Sequence, residues 1–298
     1  MKRIILFVVT NLAVLLVLSV VARILGWDAL LAEHGTDMSA LLTMAAVIGF
    51  AGSFISLATS KWAAKNLMGV QVIHQAATPK EIWLLDTVQR HARRAGVGMP
   101  EVGIFDAAEM NAFATGARRN HALVAVSTGL LVGMSSEEAE AVLGHEITHV
   151  ANGDMVTLAL LQGVVNTFVI FLARVFGTVL DGAIGGSRGG ERRGPGPFYF
   201  IIVIVLQLIL GIFANIIVMW FSRRREFRAD AGGAGLAGTG NMIAALERLD
   251  EQHGATLPGQ LAAFGISDGV GVGLRRLFMS HPPIPERIAA LQALQGRR

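Results

Sequence analysis

The sequence contains no cysteine. Disulfide staples, thiol nucleophiles and cysteine-ligated zinc are therefore excluded, and any metal must be held by His, Asp or Glu. Charge is also scarce: 16% of the 298 residues are Asp, Glu, Lys or Arg, against roughly a quarter in an ordinary soluble domain. With 53% hydrophobic residues and a mean hydropathy of +0.55, a wholly soluble chain could not cover its own apolar surface, and a disordered one is excluded outright. Neither sign of charge dominates. The 25 basic and 22 acidic residues leave +3, so the pI near 9.8 reflects a small surplus of Arg and Lys, and no nucleic-acid partner is expected. No internal repeat is present.

The apolar residues fall into four runs, at 4–22, 38–60, 155–173 and 198–221. Each is close to the ~20 residues that cross a ~30 Å hydrocarbon core, and backbone hydrogen bonding then demands helix. The basic start Met1-Lys2-Arg3 also suits a signal peptide, but the run is longer than an ordinary h-region and a second follows, so an uncleaved anchor is expected. The third run continues weakly to Leu180 past Arg174, a costly residue in lipid and a candidate for that helix's real end. Lys2, Arg3, Lys61, Lys65, Arg223, Arg224, Arg225 and Arg228 flank the spans on one side, and by the positive-inside rule that side is the cytoplasm. The 181–197 connector dissents, with Arg188, Arg192 and Arg193 outnumbering Asp181 and Glu191; it is Gly-rich and reads as flexible. Four segments result: two anchoring helices over 1–60, a polar part over 61–154, a transmembrane hairpin over 155–221 and a second polar part over 222–298. Within the polar parts, 79–96 has helical periodicity with Ile82, Leu84, Leu85, Val88 and His91 on one face. Residues 102–105 and 123–126 read as short strands.

The chemistry is concentrated in residues 135–153. Ser135 and Glu138 have capping-box spacing, Gly153 stands where a C-terminal cap belongs, and Ala139, Val142, Leu143 and Val150 form a buried stripe, so a helix is expected there. On it His145 and His149 are i, i+4, about 6 Å apart along the axis, which suits two imidazoles on one tetrahedral zinc. Glu146 flanks the pair, where a carboxylate can move a proton from water to a leaving amine. This is the His-Glu-x-x-His pattern of metalloproteases. Two surface histidines on a solvated helix are the plainer alternative. Zinc of this kind needs a third protein ligand and an open position. Glu226, just after the fourth run, is the best candidate, although a Glu among arginines also suits a local ion pair. Two spans between His149 and Glu226 return the chain to the same side, which favours the ligand reading. Asp230, one turn further, could accept the outer N–H of a ligand His.

His145-Glu146-Ile147-Thr148-His149, Asn152-Gly153-Asp154 and the apolar 160–172 run resemble the HtpX family, bacterial membrane zinc metalloproteases related to the CAAX prenyl-protein endopeptidases. Glu226-Phe227-Arg228-Ala229-Asp230 resembles the family's third-ligand element, Asn111-Ala112-Phe113-Ala114 its strand beside the substrate cleft, and residues 281–287 its His-Pro-Pro…Glu-Arg element. The resemblance implies that Asn111 hydrogen-bonds the substrate backbone, as in β-augmentation, and that His281 donates to the oxyanion of the tetrahedral intermediate. It also implies quality control: cleavage of misfolded or damaged membrane proteins, linked to envelope or heat stress.

The expectation is a mainly α integral membrane protein of the bacterial inner membrane. It has about four transmembrane helices and a cytoplasmic α+β zincin-like domain with a small sheet. One Zn²⁺ per chain is held by His145, His149 and Glu226, with Glu146, His281 and Asn111 as catalytic residues and Asp230 behind His145. Its partners are polypeptide substrates and the lipid bilayer. A substrate-specific processing protease and a non-enzymatic, zinc-stabilised membrane scaffold are the rival readings. A transporter is weaker, because the spans lack paired intramembrane charges. Gly233-Ala234-Gly235-Leu236-Ala237-Gly238 satisfies G-x-G-x-x-G but follows no strand, so close packing of small residues is expected there rather than a dinucleotide site.

Overall fold

The structure is a computed structural model that describes residues 15–184, 196, 198–255 and 277–296. In chain order its elements are α1 (Leu15–Ile24), α2 (Trp27–Glu33), α3 (Met38–Asn66), β1 (Gln71–Val72), α4 (Pro79–Ala95), β2 (Glu101–Phe105), β3 (Ala112–Thr115), β4 (Leu123–Ser127), α5 (Thr128–Gly133), α6 (Ser136–Asn152), α7 (Asp154–Ile184), α8 (Tyr199–Ala237), α9 (Thr239–Ala255) and α10 (Ile284–Gln295). The fold is mostly helical, with one small mixed sheet. It divides into two compact units, 1–55 with 159–218 and 56–158 with 219–298.

In the first unit, α3, α7 and α8 are long and apolar enough to cross a membrane. α1 and α2 make a fourth such span only if the pair, bent by 75° between them, is counted as one. Residues 4–14 of the first expected span, and 185–195 and 197 of the expected flexible connector, lie outside the described residues. The stretch after the first span holds a helix, α2: Gly26 takes φ 71° and Leu31 is buried, re-aiming the chain into the core. Arg174, a candidate for the third helix's end, does not end it, and residues 181–184 of the expected flexible connector are helical, since α7 runs on to Ile184; Ala173 and Val175 on either side of Arg174 are buried, and that packing carries the helix onward. Leu18, Leu31, Leu41, Phe171 and Val175 share one cluster. α3 and α7 approach at small residues: a Cβ on Gly49 would stand 2.7 Å from the Thr167 nitrogen, and one on Gly163 2.4 Å from the Phe50 ring. Outward, α8 exposes Phe200, Ile201, Leu208 and Phe213, a surface suited to lipid tails. At 1.5 Å per residue the 39 residues of α8 far exceed a ~30 Å core. Its apolar stretch stops at Phe221, so the residues from Arg223 onward lie beyond the spanning segment.

The second unit is built on a sheet of order β1-β2-β4-β3, in which β2 and β4 are parallel and β1 and β3 are antiparallel to their neighbours. β4 is buried at all five positions, as a central strand should be, and β3 forms one edge. α4 starts at a capping box between Thr78 and Glu81 and stops at Gly96 in the left-handed conformation. It turns Leu84, Val88 and His91 into the core, whereas Ile82, expected on the same face, is exposed. α6 packs against α4, β3, β4 and α9, and α10 packs against α9. Leu143, Ile147, Val124, Met242, Leu246 and Leu291 meet in the resulting core.

Candidate metal centre

The centre is built on α6, whose ends are set locally. Ser135 and Glu138 form a capping box at the start, and Gly153 (φ 68°) ends the helix with its N–H on the last carbonyls. Helix geometry then turns His145 and His149 to one side, with their Nε2 atoms 3.0 Å apart. Immediately after Gly153, the Asp154 carboxylate stands at the start of α7 and accepts from His149 Nδ1 at 2.7 Å.

α8 brings the third group. It lies against α6 with almost no side chain between the backbones: a Cβ on Gly232 would stand 2.3 Å from Thr148 Cγ2, and one on Gly233 2.9 Å from the His145 nitrogen. The small-residue packing expected of this segment is present at Gly233. Gly235 has open space around it, and Gly238 (φ 100°) follows the helix end. This approach puts Glu226 Oε2 3.4 Å from His145 Nε2 and Glu226 Oε1 3.3 Å from His149 Nε2. The ligand atoms of His145, His149 and Glu226 all lie within 4.8 Å of one another. One turn on, Asp230 accepts from His145 Nδ1 at 2.9 Å and is gripped in turn by Arg287, whose Nε and Nη2 lie 2.8 and 2.5 Å from its two oxygens. Each histidine thus has a carboxylate on Nδ1, which fixes the tautomer that turns a bare Nε2 inward.

The electrostatics favour a cation at that point. Burial opposes a charge on His149, but the Asp154 and Glu226 carboxylates outweigh it and push the ring up to about 10. Burial likewise opposes charge on His145, and Asp230 and Glu226 hold it above its ordinary value. Glu226, 2% exposed, would be neutralised by burial alone; His145, His149 and His281 hold it far below the usual carboxylate range. Two inward nitrogens and a buried carboxylate that concentrate negative potential at one point fit a divalent metal with a His, His, Glu donor set.

The remaining candidates stand around the same point. His281 Nδ1 donates to Glu226 Oε2 at 2.7 Å while its side chain is 60% exposed. Glu146 and Asn111 line a cavity shared with His145, His281 and Arg287. Asn111 immediately precedes edge strand β3; its N–H donates to Ser127 Oγ and its carbonyl accepts from Ser127 N, while its side chain is exposed. Two members went unassigned in the sequence, Asp154 and Arg287. Asp154 carried a signal, a carboxylate directly after the helix-ending glycine and five residues from His149. Arg287 carried one only as the Arg of the 281–287 element in the family resemblance, which gave it no role, because its contact with Asp230 spans 57 residues.

A His-Glu-x-x-His helix joined by a carboxylate from a second helix, in a chain with spans of this kind, defines a membrane metalloprotease. The chain belongs to peptidase family M48, which its residues 79–295 match. It is 63% identical over 296 residues to Protease HtpX of Xanthomonas euvesicatoria pv. vesicatoria, covering 99% of this chain and 98% of that protein. It is 60% identical over 295 residues to a Protease HtpX homolog of Thiobacillus denitrificans, covering 99% and 100%. The fold is similar to the crystal structure of S. mikatae Ste24p, with a TM-score of 0.63 at 17% identity, over 96% of this chain and 67% of that one.

Proposed function

We propose that this metalloprotease is a zinc-dependent endopeptidase of the bacterial inner membrane that cleaves misfolded or damaged membrane proteins on the cytoplasmic side, under envelope or heat stress. The observation that carries the reading is the meeting of His145, His149 and Glu226 at one point, beside a cavity that Glu146 lines. His145, His149 and Glu226 would hold the metal. A bound zinc ion supplies Lewis acidity, making water a nucleophile near neutral pH and polarising a peptide carbonyl.

The chain's own residues do the rest. Glu146 takes a proton from the attacking water and passes it to the leaving amine. Asp230 and Asp154 keep the two imidazoles in the ligating tautomer. His281 donates from Nδ1 to Glu226, so its ring presents Nε2 to the substrate, an N–H donor for the oxyanion when the ring is an imidazolium. Among the described residues no strand pairs with the outer edge of β3. With its main chain already bonded to Ser127, Asn111 offers its side-chain amide to a substrate strand. An edge that grips backbone accepts any sequence that is extended, and extended backbone is what an unfolded protein exposes. That supports quality control over the processing of one substrate. The basic residues Lys61, Lys65, Arg224 and Arg228 beside the spans support a cytoplasmic site.

The test is Glu146→Gln in the full-length protein. It should retain zinc and lose cleavage of denatured casein by 10²- to 10⁴-fold, roughly the range for a general base. Glu226→Ala should lose zinc. A Glu146→Gln protein that cleaves like the parent would overturn the mechanism. A parent that accepts a single substrate from a panel of unrelated unfolded proteins would favour the processing role.

A further inference from the structure

Just past Phe221, where its apolar stretch stops, α8 carries Arg223, Arg224, Arg225 and Arg228, and the fold uses them differently. Arg223 donates to the Leu277 and Met279 carbonyls at 3.2 and 2.8 Å. Buried Arg225 donates to the Asp154 carbonyl and to Ser222 Oγ. At the foot of α3, Lys61 and Lys65 are both held by Glu101, at 2.9 and 2.6 Å. Arg224 and Arg228 are left over. Both are exposed, and among the described residues neither pairs with a carboxylate. They stand i, i+4 on one face of α8, in line with half-exposed Trp220, and the Arg224 guanidinium lies 4.8 Å over that indole. Glu226 is two residues from each arginine, roughly 200° round the helix, so this face is turned away from the metal centre.

We propose that Trp220, Arg224 and Arg228 form a binding site for an anionic phospholipid, its phosphate between the two guanidiniums and its acyl chain beside the indole. At 1.5 Å per residue, Arg224 stands ~4.5 Å and Arg228 ~10.5 Å along the helix beyond Phe221. The headgroup layer outside the hydrocarbon is about 5–7.5 Å deep. Helical side chains tilt toward the N-terminus, and α8 leaves its apolar stretch at the C-terminal end. Both guanidiniums are therefore turned back toward the headgroups. The stacking of Arg224 over Trp220, one turn nearer the membrane, is that tilt made visible. Trp itself settles at the membrane–water boundary, with one side in the chains and its polar edge among the headgroups. Each guanidinium fork matches two phosphate oxygens. A phosphatidylcholine headgroup carries its own cation beside the phosphate, which competes with the arginines. An anionic headgroup has no such competitor, so the pair selects it.

The experiment mixes full-length protein in detergent with equimolar phosphatidylglycerol and phosphatidylcholine of identical acyl chains, and counts the bound lipids by native mass spectrometry. The parent should retain phosphatidylglycerol in clear excess. A basic residue near an anionic lipid surface is worth ~5-fold in binding, so Arg224→Gln with Arg228→Gln should lower phosphatidylglycerol retention by ~25-fold. Phosphatidylcholine retention should stay as in the parent. Arg224→Lys with Arg228→Lys keeps the charge without the fork and should fall between the two. Arg93→Gln, an equally exposed arginine on α4, should bind like the parent. Millimolar inorganic phosphate should not displace the lipid, because its chains hold it beside Trp220. Equal retention of the two lipids by the parent, or an unchanged preference in the double Gln variant, would overturn the site. So would an equal loss in Arg93→Gln, which would assign the preference to overall charge. Displacement by phosphate would assign the pair to a soluble anion and overturn the lipid. None of these readouts depends on proteolysis.

Discussion

Replacing Gly233 with alanine places a Cβ 2.9 Å from the His145 nitrogen and 3.1 Å from its Cα, with Met242 Sδ at 3.2 Å on another side. Ordinary Cβ contacts begin at 3.4 Å, and the two nearest atoms are backbone, so α6 and α8 must separate by about half an ångström. Metal sites hold ligand distances to about ±0.2 Å. A displacement of that size between the helix with both histidines and the helix with Glu226 therefore exceeds what the centre tolerates. The stability effect is a small difference: alanine gains ~0.5–1 kcal/mol over glycine in a helix, and overpacking costs ~1–3 kcal/mol. We expect Gly233→Ala to lose ~1 kcal/mol of stability, to bind zinc at least tenfold more weakly and to lose proteolysis in proportion. Gly235→Ala is the control, in the same helix with nothing within 4 Å of the new Cβ, and should melt at or above the parent temperature with full activity. The assays are thermal melts in detergent, zinc competition with a chelating dye, and casein cleavage. If the two variants behave alike, the close approach at Gly233 does not position Glu226, and the reasoning is wrong.

Asp154→Asn keeps a hydrogen bond to His149 Nδ1 but removes the charge, and should weaken zinc binding by ~10- to 100-fold with little change in fold; unchanged affinity would refute its role. Arg287→Met leaves the buried Asp230 without its bidentate partner and should cost ~3–5 kcal/mol. Arg287→Met with Asp230→Ala should cost less than the sum of the two single changes, and strict additivity in thermal melts would argue against the pair. His91 is buried with Nε2 donating to the Glu140 carbonyl. Burial holds its pKa below 6.5, although Glu140 pulls it partly back. The unfolded chain therefore binds a proton first as pH falls through 6.5, so stability is full above that value and declines below it. His91→Gln should flatten the melting temperature across that range, and an unchanged slope would assign the acid sensitivity elsewhere.

Much of this was legible because it is local. The capping box at Ser135, the stop at Gly153, the i, i+4 histidines and the apolar runs depend on neighbours within a few residues. The strands expected at 102–105 and 123–126 are present as β2 and β4. Their parallel pairing was not legible, since it depends on the path of the chain between them, and the edge position of β3 was implied only by the family resemblance at 111–114. α2 escaped notice because only Leu31 of its seven residues is buried, too weak a pattern to announce a helix. The continuation of α7 through Arg174 was hidden because hydropathy weighs one residue and takes no account of the packing of its neighbours. Ile82 shows the converse, a residue in phase with a buried face that tertiary contacts leave exposed.

The sequence alone determined that this chain carries membrane-crossing helices and a His-Glu-x-x-His helix. It also left His, Asp and Glu as the only strong metal donors, because hydropathy, capping and the absence of cysteine are properties of short stretches or of composition. Only the tertiary structure decided that Glu226 joins those histidines, that Asp230 with Arg287 and Asp154 stand behind them, and that a cavity opens beside Glu146. The contacts between α6 and α8 join residues up to 85 positions apart, and they exist because Gly232 and Gly233 let two helix backbones touch.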